Sequence, residues 1–395
     1  LAGFSIADIG FVLLTASLVA IVSRRLRLPY SVGLVVAGIV LALLPFGVEL
    51  PLTRDLIFSV FLPPLIFEAA LQLKWSEVRR DLPLTVGLAF PGVVIAAAFV
   101  AAGMHYVAGW SWNGSLFFGI LISATDPVSV IAAFKEMRAE RRLSMVVETE
   151  SLLNDGTAAV GFSVLIAIMA GGTATPLSVA GALAWTVIGG IVVGFGVSGL
   201  MLLVAGRTDD HLVKITLTTV AAYGSFLIAE HFHTSGVLAS MTAGLLAGNT
   251  KGLCAIDDRG YSHVLAFWEY AAFLVNSVVF ILIGGHEAHQ PLVQYAAAAG
   301  IAVLIVIIGR VLAVYPISAL ARRTSFGIDL RYQHVLVWGG LRGALALALA
   351  LALPASVPEQ REIVVVCFAV VAFSIFVQGL SMPWLLRRFG LAGDP

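Results

Sequence analysis

Residues 121–130 read Leu121-Ile-Ser-Ala-Thr-Asp-Pro-Val-Ser-Val130 and lie inside an apolar run over about 114–134. A run of about 20 apolar residues is long enough to cross a bilayer as one helix. This run carries an aspartate followed by a proline at its centre. Proline removes a backbone donor and disfavours helix at the residue before it. The same pair makes a good N-cap and first-turn residue for a new helix. The stretch therefore predicts two half-helices meeting near Thr125 and Asp126. Carbonyls freed there can hold a cation, and Asp126 would face the positive end of the second half. A plain proline kink, with Asp126 only capping a helix, is the simpler alternative.

Composition puts this stretch in lipid. The chain has 395 residues, 59% hydrophobic and 12% charged, with mean hydropathy +0.99. A soluble domain carries roughly 25% charged residues. Half that charge cannot cover a soluble surface of this size, so lipid is the solvent for most of the outside. The net charge is zero, which suggests neither nucleic acid nor an acidic surface as a partner. Cys254 and Cys367 fall in or beside apolar segments and give no disulfide framework or metal spacing. The first apolar run, 6–23, lacks the flanks of a signal peptide and reads as a membrane helix. The chain opens on Leu1 without a methionine, as a trimmed sequence would.

Working outward from 114–134, the chain divides into thirteen such runs joined by short loops, all in one transmembrane domain over 1–395. They are roughly 6–23, 30–46, 52–73, 83–107, 114–134, 143–170, 176–205, 212–230, 235–250, 262–285, 291–321, 332–354 and 362–386. Cytoplasmic loops carry an excess of Lys and Arg. With the N-terminus outside, 19 of the 23 basic residues fall in cytoplasmic loops, including Arg27 and Lys251. Arg54 and Arg361 fall outside, and Arg310 and Arg342 within spans. Thirteen spans then place the C-terminus in the cytoplasm.

Charges inside a membrane are expensive, so they usually line a pathway or pair with each other. The candidates are Glu68, Asp126, Glu148, Glu150, Asp155, Glu269, Arg310 and Arg342. Structural ion pairs would explain any one of them, but carboxylates outnumber the cations. At about 1.5 Å rise per residue, Asp126 lies about 18 Å deep from the outside. Asp155 lies about 18 Å, and Arg342 about 15 Å, from the inside. Glu68 lies about 24 Å from the outside. In a core about 30 Å thick, these four converge near the midplane.

The sixth run contains Glu148-Thr-Glu-Ser-Leu-Leu-Asn-Asp-Gly156. Helical spacing puts Ser151 with Asp155 on one face, and Glu150 with Asn154 on the next. A hydroxyl beside a carboxylate is a hard-oxygen site, suited to Na⁺ rather than a soft metal. One carboxylate that holds either a cation or a proton is the minimum machinery of an antiporter. The twelfth run reads Trp338-Gly-Gly-Leu-Arg-Gly-Ala344. Packing alone explains the glycines but not the arginine. Interrupted spans in both halves, running in opposite directions, point to an inverted-repeat transporter.

Four motifs together carry a family resemblance. They are Phe61-Leu-Pro-Pro-Leu-Ile-Phe-Glu68, Ala124-Thr-Asp-Pro-Val128, Glu150-Ser-Leu-Leu-Asn-Asp155 and Gly339-Gly-Leu-Arg-Gly343. In this order, on the third, fifth, sixth and twelfth runs, the chain resembles monovalent cation:proton antiporters of the NhaP and eukaryotic Na⁺/H⁺ exchanger type (CPA1). The resemblance covers nearly the whole chain. It implies a homodimer of all-α, thirteen-helix protomers in the cell membrane, each with two crossed discontinuous helices. It implies a mobile core over about 83–170 and 291–386, with the other helices forming the dimer contact. Asp155 would bind Na⁺ and H⁺ alternately. Ser151, Thr125, Glu68 and Asp126 would be further ligands or neighbours of the ion. Asn154 would orient Glu68 and the site, and Glu150 would pair with Arg342. Asn154 stands where electrogenic cousins carry a second aspartate, which implies electroneutral one-for-one exchange. No cofactor and no enzymatic step are implied. Selectivity among Na⁺, Li⁺ and K⁺ stays open, a K⁺-selective antiporter included.

Other polar residues suggest less. His231 and His233 are more often solvated than metal-bound at this spacing. His286, Glu287 and His289 form a polar outer loop, and His334 can titrate near neutrality. Glu269 and Arg310 read as structural pairing groups, with Arg310 the second choice of partner for Glu150. Two rivals belong to other classes. Asp126 and Asp155 could form an intramembrane protease dyad, but the Ser, Thr and Asn around them suit an ion better. A cation channel would want a repeated carbonyl filter.

Overall fold

The computed structural model describes residues 6–26, 29–43, 56–126, 128–169, 171, 176–249, 258–288 and 293–393. Arg27, Arg54, Pro127, Lys251, Cys254 and His289 lie outside the described residues, as do the side chains of Arg24, Arg259 and Glu287.

The described residues form helices joined by short turns. In chain order they are α1 Ile6–Leu26, α2 Tyr30–Leu43, α3 Leu62–Gln72, α4 Trp75–Gly87, α5 Val93–Ala108, α6 Trp112–Leu121, α7 Val128–Glu136, α8 Arg141–Met169 and α9 Pro176–Ala205. They continue as α10 His211–His231, α11 Gly236–Gly248, α12 Asp258–Glu287, α13 Ala296–Ala321, α14 Leu330–Trp338, α15 Ala344–Leu351, α16 Gln360–Phe373 and α17 Leu380–Arg388. Wider π-turns at Leu56–Phe61, Leu88–Gly92 and Ser374–Gly379 lead into α3, α5 and α17. The second of these holds Pro91, whose missing N–H breaks the regular ladder. Each helical stretch falls on one of the thirteen apolar runs. Seven are long and apolar enough to cross a membrane, and shorter apolar helices accompany them.

Two of the runs are broken. The fifth gives α6 and α7 with Ile122–Asp126 outside either helix, and the twelfth gives α14 and α15 with Gly339–Gly343 between them. Both breaks were expected, the first from the Asp-Pro pair and the second from the glycines. The half-helix α6 starts at a true cap, Ser111, whose Oγ accepts from Gly114 N at 3.1 Å. Asp329 does the same for α14, accepting from Leu330 N at 2.7 Å. Short helices gain most from such caps, because a large share of their backbone donors is terminal.

The chain divides into two compact units. The first comprises residues 1–57, 83–154 and 276–395; the second comprises 58–82 and 155–275. In the first, α5 packs on α6 and α13, and α13 also meets α14 and α16. One apolar cluster there joins Val130 and Phe134 of α7, Val146 and Val147 of α8, and Val335 and Leu336 of α14. It therefore fixes pieces of both broken helices against α8. In the second unit, α3, α9 and α10 pack on α11. Phe67, Leu71, Ala222, Ala243 and Trp268 form its core.

Candidate functional site

The two breaks meet backbone to backbone in the first unit. Asp126 N donates to Leu341 O at 2.8 Å, joining one unwound segment to the other. A Cβ on Gly343 would lie 2.1 Å from Asp126 Oδ2, so only glycine lets the segments approach this closely. Gly340 has the same role toward Arg310, whose Nε would lie 2.7 Å from an added Cβ.

Breaking a helix exposes carbonyls at the end of its first half, where the helix dipole is negative. An arginine answers each end. Arg342 Nη1 donates to Ser123 O at 3.0 Å and Ala124 O at 3.2 Å, just beyond α6. Arg310 donates to Leu336 O, near the end of α14, from Nε at 3.3 Å and Nη2 at 3.1 Å. Both arginines are buried. Their planar, multi-donor guanidinium groups suit this task better than an ammonium would.

Arg310 also holds Glu150 of α8, with Nη1 on Oε1 at 2.5 Å and Nη2 on Oε2 at 2.8 Å. This corrects the expected pairing of Glu150 with Arg342. Arg342 comes from the unwound segment itself and reaches the carbonyls of the other break, whereas Arg310 rises from the continuous helix α13 toward α8. The fallback partner read from the sequence is the actual one.

From Glu150 a chain of polar contacts runs to the first break. Asn154 Nδ2 donates to Glu150 Oε1 at 3.0 Å and to Thr125 Oγ1 at 3.2 Å. Thr125 Oγ1 donates in turn to Ser151 Oγ at 3.0 Å. Thr125, Glu150, Ser151 and Asn154 are all buried, Asn154 completely. Asn154 Oδ1 has no hydrogen-bond partner among the described residues. A buried amide oxygen left so costs about 1–3 kcal/mol. Thr125, Asp126, Ser151, Asn154, Glu150 and Arg342 are thus brought together as oxygen ligands and their supports.

The next residue on α8, Asp155, stands one helical turn after Ser151 and begins the chain's return into the second unit. Glu68 lies on α3 of that unit and accepts a hydrogen bond from Gln72. Among the remaining candidates, Glu148 is half-buried on α8 and Glu269 is exposed on α12, which removes Glu269 from the buried pairing groups. His286 stacks on Phe368 with centroids 4.6 Å apart. His334 Nδ1 shares a hydrogen bond with Tyr315 Oη at 2.6 Å. The sequence gave no sign of the two arginines' service to carbonyls. A basic residue within a span, beside or one turn from a predicted break, is the signal that could have found it.

Comparison with known proteins follows the same lines. A family model described as "Sodium/hydrogen exchanger, transmembrane" matches residues 13–388. The chain is similar to the Na⁺/H⁺ antiporter ApNhaP of Aphanothece halophytica, at 38% identity over 96% of this chain and 73% of that protein. It is similar to the Na⁺/H⁺ antiporter NhaP of Pseudomonas aeruginosa, at 32% identity over 98% of this chain and 96% of the other. Its fold matches the sodium proton antiporter MjNhaP1 of Methanocaldococcus jannaschii at pH 8, with TM-score 0.79 and 20% identity over 98% of this chain and 99% of that one.

Proposed function

The chain belongs to the sodium/hydrogen exchanger family, and we propose that it is a secondary-active antiporter exchanging Na⁺ for H⁺ across the membrane in which it is embedded. It is a multi-pass integral membrane protein and a transporter rather than an enzyme. Relatives named Na⁺/H⁺ antiporters align with most of its length, which supports the choice of ion.

The observation that carries the reading is the buried oxygen cluster beside the crossed breaks. Thr125 and Ser151 offer hydroxyls, and Asn154 offers an amide oxygen with no donor. Hard oxygens of this kind suit a small hard cation. Asp155 follows directly and supplies the negative charge. In the proposed cycle Asp155 holds either Na⁺ or H⁺, never both, and each displaces the other. Glu68 and Asp126 act as further ligands or neighbours of the ion. The arginines satisfy the half-helix carbonyls in every state, so the breaks persist when the ion has left. With Asn154 neutral and Glu150 committed to Arg310, one carboxylate exchanges, and transport is electroneutral.

The moving part of the cycle is assigned to about 83–170 and 291–386, with the remaining helices making the contact of a homodimer. Both broken helices, α8 and α13 fall in that range, which supports the division.

The test is a proteoliposome assay with an imposed pH gradient. Addition of Na⁺ should dissipate the gradient, with Li⁺ and K⁺ ranked beside it, and Asp155→Asn should abolish the response. An unaltered gradient with every cation, in correctly folded protein, contradicts the reading. A transport current that persists with the membrane potential clamped at zero contradicts electroneutrality alone.

A further inference from the structure

In the second unit, α10 and α12 are locked together by a buried contact. Trp268 Nε1 donates to Thr218 Oγ1 at 3.0 Å, and both residues are nearly inaccessible to solvent. The Trp268 ring also packs on Phe67 of α3, with centroids 4.6 Å apart. This anchor fixes the register of the two helices toward their N-terminal ends. There His211 opens α10, and His263 sits in the early turns of α12. Their ring centroids are 4.6 Å apart, with 34° between the planes. Both side chains are exposed.

Stacking of two imidazoles would account for the contact, but the spacing also fits coordination. Two imidazoles bound to one ion at about 2.0–2.1 Å, at a near-right angle, bring their centroids to about 4.5–5 Å. No group of three or more His, Cys, Asp or Glu ligands occurs among the described residues, so water would fill the remaining positions. Asp210 is engaged at the helix start, its Oδ1 accepting from Leu212 N at 2.8 Å. Imidazole nitrogens select borderline transition ions and have little affinity for Na⁺.

We propose that His211 and His263 form an open two-histidine site for a divalent transition-metal ion such as Zn²⁺, Ni²⁺ or Cu²⁺, which joins the ends of α10 and α12 on the face expected to be cytoplasmic. The site stands apart from the oxygen cluster and does not depend on the antiport reading. An ion bound there would brace the two helices at the end opposite His231.

The test uses the full chain in detergent, free of any affinity tag. Calorimetric titration with NiCl₂ should give one ion per chain. His211→Ala and His263→Ala should each weaken binding at least tenfold, while His231→Ala should leave it unchanged. Electron paramagnetic resonance of the wild-type protein with one equivalent of Cu²⁺ should show two imidazole nitrogens on the ion, a readout that needs no variant to fold. A spectrum with one nitrogen or none, or unchanged affinity in both His211→Ala and His263→Ala, overturns the proposal.

Discussion

Arg310 of α13 grips Glu150 of α8 through both guanidinium nitrogens, and Glu150 is 1% exposed. The pair ties two helices beside the breaks, and the same guanidinium completes the end of α14 at Leu336. Removing one partner of a buried pair leaves a charge without compensation, at a cost of about 3–5 kcal/mol. Glu150→Gln and Arg310→Gln should therefore each lower the thermal unfolding temperature sharply in detergent. The double variant should recover part of the loss, because the two buried charges vanish together. Additive losses in the double variant would contradict the coupling.

Gly343 has no room for a side chain. An added Cβ would overlap the Asp126 carboxyl, and the backbone bond from Asp126 to Leu341 limits any escape. Gly343→Ala should cost about 1–3 kcal/mol by overpacking and should abolish Na⁺-driven exchange. Gly300→Ala on α13, where nothing lies within 4 Å, is the control and should transport normally.

Arg342 serves carbonyls rather than a carboxylate. Arg342→Lys keeps the charge but loses the planar fork and should retain partial exchange. Arg342→Ala leaves the Ser123 and Ala124 carbonyls without that donor and should be inactive. Equal activity in the two variants would show that charge at this position does not matter.

Asn154→Asp places a carboxylate where an amide now donates to Glu150. The donated bond is lost and two like charges face each other, which disfavours the charged form of both. The variant should unfold at lower temperature than wild type, and the difference should shrink as the pH is lowered and a carboxyl takes up a proton.

Asp329 offers a pH dependence outside the spans. A hydrogen bond from Arg331, then one from the Leu330 backbone, holds its carboxyl below the ordinary carboxylate range. A depressed folded-state pKa adds stability above the unfolded value and loses it as pH falls through the folded one. The cap on α14 should therefore hold at neutral pH and weaken only in the acid range below the ordinary carboxylate pKa. Asp329→Ala should remove this acid-range component from thermal unfolding measured against pH.

Much of this arrangement was legible in the sequence. Asp126 before Pro127 announced the first break, and the glycines around Arg342 announced the second. The Ser151–Asp155 spacing marked α8 as the ligand helix. The partner of Glu150 was misplaced because helical spacing relates residues within one helix. Which arginine of two reaches α8 depends on how separate helices pack, and local pattern does not encode that. Glu269 was misjudged for a related reason: depth along a span is readable from sequence, but the face it presents is not when nearly every neighbour is apolar. The histidine pair escaped notice because His211 and His263 are far apart in the chain and meet only through the Trp268 anchor.

The central claim is that Na⁺ and H⁺ compete for one carboxylate. The most direct measurement is the apparent KM for Na⁺ as a function of pH in proteoliposomes, with the maximal rate followed alongside. Competition predicts that KM rises toward about tenfold per pH unit on the acid side of the site's pKa, while the rate at saturating Na⁺ holds. A KM that stays constant across that range, with only the maximal rate changing, would contradict a shared site and separate proton from cation binding.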